Sequence, residues 1–243
     1  MSSLRQIVYR SAKGWLAACY DPWIRTGPVL DRARWFPAES ELLPLVDQLR
    51  QQALALPLEQ LPRFHQLSST QGGFAWRDGR RWSVLPLRLY GVDLPANQRL
   101  LPALSPFLDA HPEVLSAMVS CLESGKHIRP HRGPFRGVLR YHLCLALEED
   151  GGEGCWLRLD GRDYPYRQGV SLLWDDTFEH EVHNRTGADR IALLLDLRRG
   201  GLPWHADLLS RLVIAGVGRY CRLRRRRFER AAVQAGAAPP AGR

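Results

Sequence analysis

Two periodicities divide this chain. Between residues 39 and 56, Leu42, Leu43, Leu45, Val46, Leu49, Ala53 and Leu54 trace one apolar stripe. That spacing predicts a helix. Pro44 falls in its first turn, where proline is tolerated, and Pro57 and Pro62 end it. Residues 1 to about 65 read as mainly helical. Strand and turn signals follow, in Gln71-Gly72-Gly73-Phe74 and then from Trp82 to Tyr90. Residues 96 to 110 read as a further helix, broken by Pro102 and Pro106.

From Val114 the period shortens. In Val138 to Leu147, one face carries Val138, Arg140, His142, Cys144 and Ala146, and the other Leu139, Tyr141, Leu143, Leu145 and Leu147. That alternation predicts a strand with Arg140 and His142 side by side. Trp156 to Tyr166 reads as a hairpin around Asp160-Gly161, a pair suited to a type I′ turn. Val170 to Trp174 and Arg190 to Leu197 are further apolar strands. Short strands joined by tight turns predict a mainly β, jelly-roll barrel rather than βαβ units. The expected organisation is a helical region at 1–65 packed on a barrel at 66–200. Residues 201–243 then form a C-terminal amphipathic helix and a basic, partly disordered tail, with disorder expected after Ala231.

At 243 residues and 45% hydrophobic, the chain is long enough for a sizeable core. Its five cysteines show no C-x-x-C spacing, which argues against a disulfide framework or a cysteine-built zinc site and fits a reducing compartment. No segment approaches the ~20 apolar residues of a membrane span. Arg5, Arg10 and Lys13 interrupt the N-terminal region, a poor signal peptide. The expectation is a cytoplasmic protein, peripheral on the inner membrane. The net charge of +9 is concentrated in Arg219, Arg222, Arg224, Arg225, Arg226, Arg227 and Arg230. They follow an apolar run of Trp204, Leu208, Leu209, Leu212, Val213 and Ile214. This combination suits a helix on an anionic membrane, and equally a helix packed on the core with a solvated end. Nucleic acid fits poorly, because none of the eight tryptophans interleaves with these arginines as a stacking platform requires.

The candidate chemistry lies in two histidine-rich stretches, His127-Ile128-Arg129-Pro130-His131-Arg132-Gly133-Pro134 and Trp174-Asp175-Asp176-Thr177-Phe178-Glu179-His180-Glu181-Val182-His183. Imidazole is a common ligand for iron, zinc and copper. Pro130 argues against a helical His127/His131 zinc pair. His180 and His183 fall on opposite faces of a strand. Any one histidine, taken alone, reads as a hydrogen-bonded structural residue. Arg190 heads an apolar strand ten residues after His180. If Arg140 and Arg190 point into a barrel with the histidines, their partners are bound carboxylates; otherwise they pair with protein carboxylates or face water.

The stretch from about 114 to 200 resembles the aspartyl/asparaginyl β-hydroxylase family of Fe(II)/2-oxoglutarate dioxygenases, in particular a bacterial branch that includes lipid A 2-hydroxylases. The resemblance rests on Pro130-His131-Arg132-Gly133-Pro134, Leu139-Arg140-Tyr141-His142-Leu143, Asp175-Asp176-Thr177-Phe178-Glu179-His180-Glu181-Val182 and Arg190. Trp82 to Leu104 also resembles that branch. The resemblance implies a double-stranded β-helix of cupin-like form, with His131 and His180 as iron ligands. It implies that Arg190, helped by Ser120, holds the distal carboxylate of 2-oxoglutarate, and that Arg140 and His142 hold the end nearer the metal. Gly133 stands where most 2-oxoglutarate oxygenases place a ligating carboxylate. Asp176 is then an acceptor behind the metal rather than a ligand, with a loop or turn role as the alternative for Asp175 and Asp176.

The implied reaction hydroxylates an unactivated C–H bond, with O2 and 2-oxoglutarate as cosubstrates. Animal aspartyl hydroxylases carry an extra arginine at the position of Val138. Its absence here favours the acyl chain of a membrane lipid, of lipid A or ornithine-lipid type, over Asp or Asn in a protein or peptide. A barrel that binds a ligand without turnover is a further alternative.

Overall fold

A computed structural model of the chain describes residues 14–67, 79–147 and 154–236. Ten strands form two antiparallel sheets. The major sheet contains β1 (Trp82–Leu89), β2 (Val92–Asp93), β3 (Val114–Leu122), β5 (Val138–Ala146), β8 (Ser171–Trp174) and β10 (Arg190–Arg198), in the order β2-β1-β3-β10-β5-β8. The minor sheet contains β4 (His127–His131), β6 (Cys155–Leu159), β7 (Arg162–Pro165) and β9 (His180–Asn184), in the order β4-β9-β6-β7. This mainly β architecture with a C-terminal helix is the jelly-roll class the short-strand pattern predicts.

Alternation sorts the side chains. Leu139, Tyr141, Leu143 and Leu145 of β5, with Ile191, Leu193, Leu195 and Leu197 of β10, join one core on the outer face of the major sheet. Leu42, Leu49 and Ala53 of the 39–54 helical segment cover it. The opposite face of that sheet meets the minor sheet over a second core, including Trp82, Leu122, Cys144, Leu157, Tyr166, Trp174 and Val182. The apolar run in β10 reflects its central place between β3 and β5, buried on both faces. Such a strand loses visible alternation.

Local signals land as expected in several places. Leu159 pairs with Arg162 across Asp160 and Gly161, whose φ values are 49° and 77°. These positive angles make the two-residue type I′ turn. The 39–54 segment is helical, with a 3₁₀ turn at Leu43–Leu45 around Pro44. The 96–110 region is divided as its prolines suggest, into Pro95–Gln98, Pro102–Leu104 and Ser105–Ala110. All five cysteines are free thiols.

Other expectations need amendment. The N-terminal region is less helical than its pattern suggests. Residues 14–20 are helical, but a largely irregular segment follows, with Val29 bridging to Trp174, before the short helix Arg32–Trp35. The turn signal at Gln71–Phe74 and residues 1–13 lie outside the described residues. The C-terminal helix runs from Trp204 to Gly236, past Ala231; the rest of the tail expected to be disordered, residues 237–243, lies outside the described residues.

The C-terminal helix carries two apolar stripes. Ala206, Leu209, Val213 and Ile214 pack with Tyr20, Leu115, Phe135 and Val138. Cys221, Phe228 and Val217 pack with Val92 and Leu94. Trp204, Leu208, Leu212 and Leu223 stay exposed. Among the described residues, no helix is long and apolar enough to cross a membrane.

Candidate active site

The edge strand β4 brings the two central histidines together through a bulge. Ile128 pairs with Val182 and His131 with His180, so three steps on β4 match two on β9. The extra residue falls at Arg129-Pro130. Proline donates no ladder hydrogen bond and is tolerated on an edge strand or at a bulge. The bulge turns His131 to the inner face beside His180, while His127 pairs with His183 on the outer face.

His131 and His180 have ring centroids 4.0 Å apart. Each is held by its own backbone: His131 Nδ1 lies 2.8 Å from the Arg129 carbonyl and His180 Nδ1 lies 2.9 Å from the Phe178 carbonyl. A carbonyl only accepts, so each Nδ1 carries the proton and, in the neutral ring, Nε2 carries the ligating lone pair. Such backbone restraint is typical of metal-binding histidines. Trp174 meets the His180 ring edge-on at 4.5 Å.

The major sheet faces this pair with Ser120, Arg140, His142 and Arg190. Cross-strand register aligns Arg140 with Asp196, His142 with Leu194 and Ser120 with Ala192. The two arginines then differ. Arg140 places Nη2 2.9 Å from Asp196 Oδ1 and Nη1 3.2 Å from Asp176 Oδ2. Burial opposes its charge, but these carboxylates outweigh that cost and raise its pKa above the ordinary value. Arg140 thus pairs with two protein carboxylates.

Arg190 is 1% exposed and, among the described residues, has no ion pair. Its Nε and Nη1 are buried and, among the described residues, have no hydrogen-bond partner. Its guanidinium stands 4.9 Å over the Tyr166 ring. A buried cation left this way is costly unless an anion arrives. Ser120 is buried on the neighbouring strand, its Oγ accepting from Trp82 Nε1 at 2.9 Å. The Tyr166 hydroxyl shares a 2.7 Å hydrogen bond with His142 Nδ1. Burial raises the tyrosine pKa and keeps that proton in place. Burial, then the nearby charges of Arg190 and Arg140, push His142 well below its ordinary 6.5, so it is neutral.

The adjacent aspartates separate in role. Asp175 is buried in an ion pair with Arg199 and accepts from Thr177 N at 3.0 Å, a turn and packing role. Asp176 faces the site, and its carbonyl accepts from Gly133 N at 2.6 Å. A Cβ on Gly133 would lie 2.1 Å from Asp176 Oδ1. Sequence reasoning missed Tyr166, Trp174 and Asp196. Of these, only Asp196 left a signal, as a charge inside the run Leu193-Leu194-Leu195-Asp196-Leu197.

A cavity of about 400 Å³ opens beside Arg140 and Asp176. Leu89, Met118, Phe135, Val138 and, from the C-terminal helix, Val217 and Phe228 line it.

The family model described as Aspartyl/Asparaginyl beta-hydroxylase matches residues 46–200. The chain belongs to this family. A relative described as ornithine lipid ester-linked acyl 2-hydroxylase, from Rhizobium tropici, is 32% identical over 171 residues, 70% of this chain and 59% of that protein. The human aspartyl/asparaginyl beta-hydroxylase is 34% identical over 89 residues, 37% of this chain and 11% of that protein. The chain thus spans less than two thirds of the length of either relative. A Pseudomonas putida prolyl-4-hydroxylase structure overlays with a TM-score of 0.43 and 18% identity, over 74% of this chain and 93% of that one. Within the aspartyl/asparaginyl β-hydroxylase family, all four motifs that carry the resemblance fall inside the matched 46–200 segment.

Proposed function

We propose that this protein is an Fe(II)- and 2-oxoglutarate-dependent oxygenase that hydroxylates an unactivated C–H bond in a membrane-lipid acyl chain. The observation that carries the cosubstrate is Arg190, a buried guanidinium with two nitrogens that have no hydrogen-bond partner among the described residues. A dicarboxylic acid supplies the missing anion through charge-assisted hydrogen bonds. His131 and His180 fit iron through Nε2, each ring being set by its Nδ1 contact. When bound, iron supplies the activation of O2 that is coupled to decarboxylation of 2-oxoglutarate to succinate and CO2.

The remaining work belongs to the chain's own side chains. Arg190 and Ser120 orient the cosubstrate. His142, fixed by Tyr166, offers a neutral imidazole to it. Arg140 holds the Asp176 carboxylate against Gly133, two residues from His131.

The apolar cavity favours an acyl substrate over a peptide. Its charged lining residues include Arg140, which is already paired with Asp176 and Asp196. Among the described lining residues, that leaves no further arginine to meet an acidic side chain. The Rhizobium relative's described activity, acyl 2-hydroxylation of an ornithine lipid, agrees with this reading. The test is lipid mass spectrometry of cells with and without the protein. One added oxygen on an acyl chain is expected; an unchanged lipid profile with oxygen on an Asp or Asn peptide would replace the lipid reading.

We further infer that the C-terminal helix lies on an anionic membrane, bringing the cavity to its substrate. Trp204, Leu212 and Leu223 are 78%, 63% and 77% exposed. At 3.6 residues per turn they share one face with Leu208, Arg219 and Arg222. Exposed apolar residues followed by cations on the same face match a helix in the headgroup region.

A further inference from the structure

The minor sheet carries a second group of metal-ligating side chains, on the face turned away from His131 and His180. His127 on β4 lies opposite His183 on β9, and Glu181 sits two residues from His183 on the same face. His127 Nε2 is 2.7 Å from Glu181 Oε2, and His183 Nε2 is 3.3 Å from that oxygen. One donor atom from each residue lies within 4.8 Å of the other two. We propose that His127, Glu181 and His183 form a second divalent-cation site, selective for an ion of zinc type and separate from the inner histidine pair.

The donor set is two imidazoles and one carboxylate, which suits Zn²⁺ over oxygen-seeking ions such as Mg²⁺ or Ca²⁺. Zinc bonds of about 2.0–2.2 Å in tetrahedral array separate the ligand atoms by about 3.3–3.6 Å. Seating the ion therefore opens the 2.7 Å His127–Glu181 contact by roughly 0.6–0.9 Å. The His127 and His183 rings, stacked 4.0 Å apart and nearly parallel, must also turn toward each other to aim both lone pairs at one ion. The other carboxylate oxygen, Oε1, lies 3.6 Å from Arg158 Nη1, leaving Oε2 for the metal. Trp156 stacks on His183 at 4.6 Å and steadies that ring. His127 is half-exposed, so solvent reaches the fourth position.

The position has a mechanical consequence. The same two strands carry His127 opposite His183 at one end and His131 opposite His180 at the other. The bulge at Arg129-Pro130 interrupts the ladder between them. A cation at the outer pair ties β4 to β9 at the end opposite the inner pair, whose geometry depends on the spacing of the same two strands.

Zn²⁺ alone is the probe, titrated calorimetrically into the metal-free full chain and three variants. Wild-type protein is expected to bind two equivalents. His183→Phe, which keeps a flat ring against Trp156, retains one, and so does His180→Ala. The double variant retains none. Two equivalents in His183→Phe, or none in His180→Ala, overturns the outer site. Loss of the inner equivalent alone would instead count against the iron reading. His127→Gln repeats the measurement by removing the ligand on the other strand. A Zn²⁺-dependent rise in the melting temperature of His180→Ala is expected, and its absence contradicts the strand-tying role.

Discussion

Gly133 and Asp176 compete for one space. A side chain on residue 133 would begin 2.1 Å from Asp176 Oδ1 and 2.3 Å from Asp176 Cγ. Gly133 does not have a positive φ, so the glycine is required by space rather than by backbone conformation. The aspartate carboxylate stands where a metal-ligating side chain at 133 would have to start.

Gly133→Ala is therefore expected to lower stability by about 1–3 kcal/mol through overpacking. Asp176→Ala removes the colliding atoms, so Gly133→Ala should cost much less in that background. Thermal or urea melts of the four proteins measure the coupling. Additive effects would mean that the two residues do not meet.

Arg190→Met is expected to leave the protein without cosubstrate as stable as wild type, or more so, because it removes an unpaired buried charge. The same change should raise the apparent KM for 2-oxoglutarate by on the order of a hundredfold, a loss of about 2–3 kcal/mol. Melting curves and succinate kinetics read the two effects separately. Strong destabilisation without cosubstrate would assign Arg190 a structural partner instead.

Arg199 and Asp175 behave in the opposite way. They form a buried ion pair, and Asp175 also contacts Arg136. Asp175→Ala should cost about 3–5 kcal/mol, because it strands a buried guanidinium. A drop in urea midpoint at unchanged slope is the expected signature. A neutral result would contradict the burial of this pair.

His142 makes a pH prediction. Its folded-state pKa lies below the ordinary 6.5 because burial and nearby arginines disfavour the imidazolium. The unfolded chain takes up this proton first as pH falls. Its stability contribution is thus complete above about 6.5 and is lost progressively below it, toward the folded-state pKa. Replacing His142 with Asn should flatten the fall in stability between pH 7 and 5. An unchanged pH slope would show that the folded state accepts the proton without penalty.

The exposed face of the C-terminal helix predicts salt-sensitive binding to vesicles containing phosphatidylglycerol. Replacing Arg219, Arg222 and Arg226 with Gln should weaken co-sedimentation at low salt, and Leu212→Ser should weaken what salt leaves behind. Equal binding to neutral vesicles would remove the electrostatic part of the argument.

Much of the fold was legible because it rests on local signals. The alternation of β5 places Arg140 and His142 together, and Asp160-Gly161 makes its turn. The bulge was not legible. Strict alternation puts His127 and His131 on one face, and only the register against β9 shows that they part. Arg140 and Arg190 look alike in sequence, each on an apolar strand. Their difference comes from Asp196, which lies 56 residues from Arg140 and reaches it through strand pairing. The helix periodicity could not separate two apolar stripes, one packed on Phe135 and Val138 and the other exposed.

The central claim is that His131 and His180 hold a catalytic iron served by 2-oxoglutarate. Succinate formed from 2-oxoglutarate with Fe(II) and O2, in the presence of membrane-lipid extract, tests it most directly. Wild-type protein should produce succinate, and folded His131→Ala and His180→Ala should not. Turnover at the wild-type rate in either variant would contradict the account.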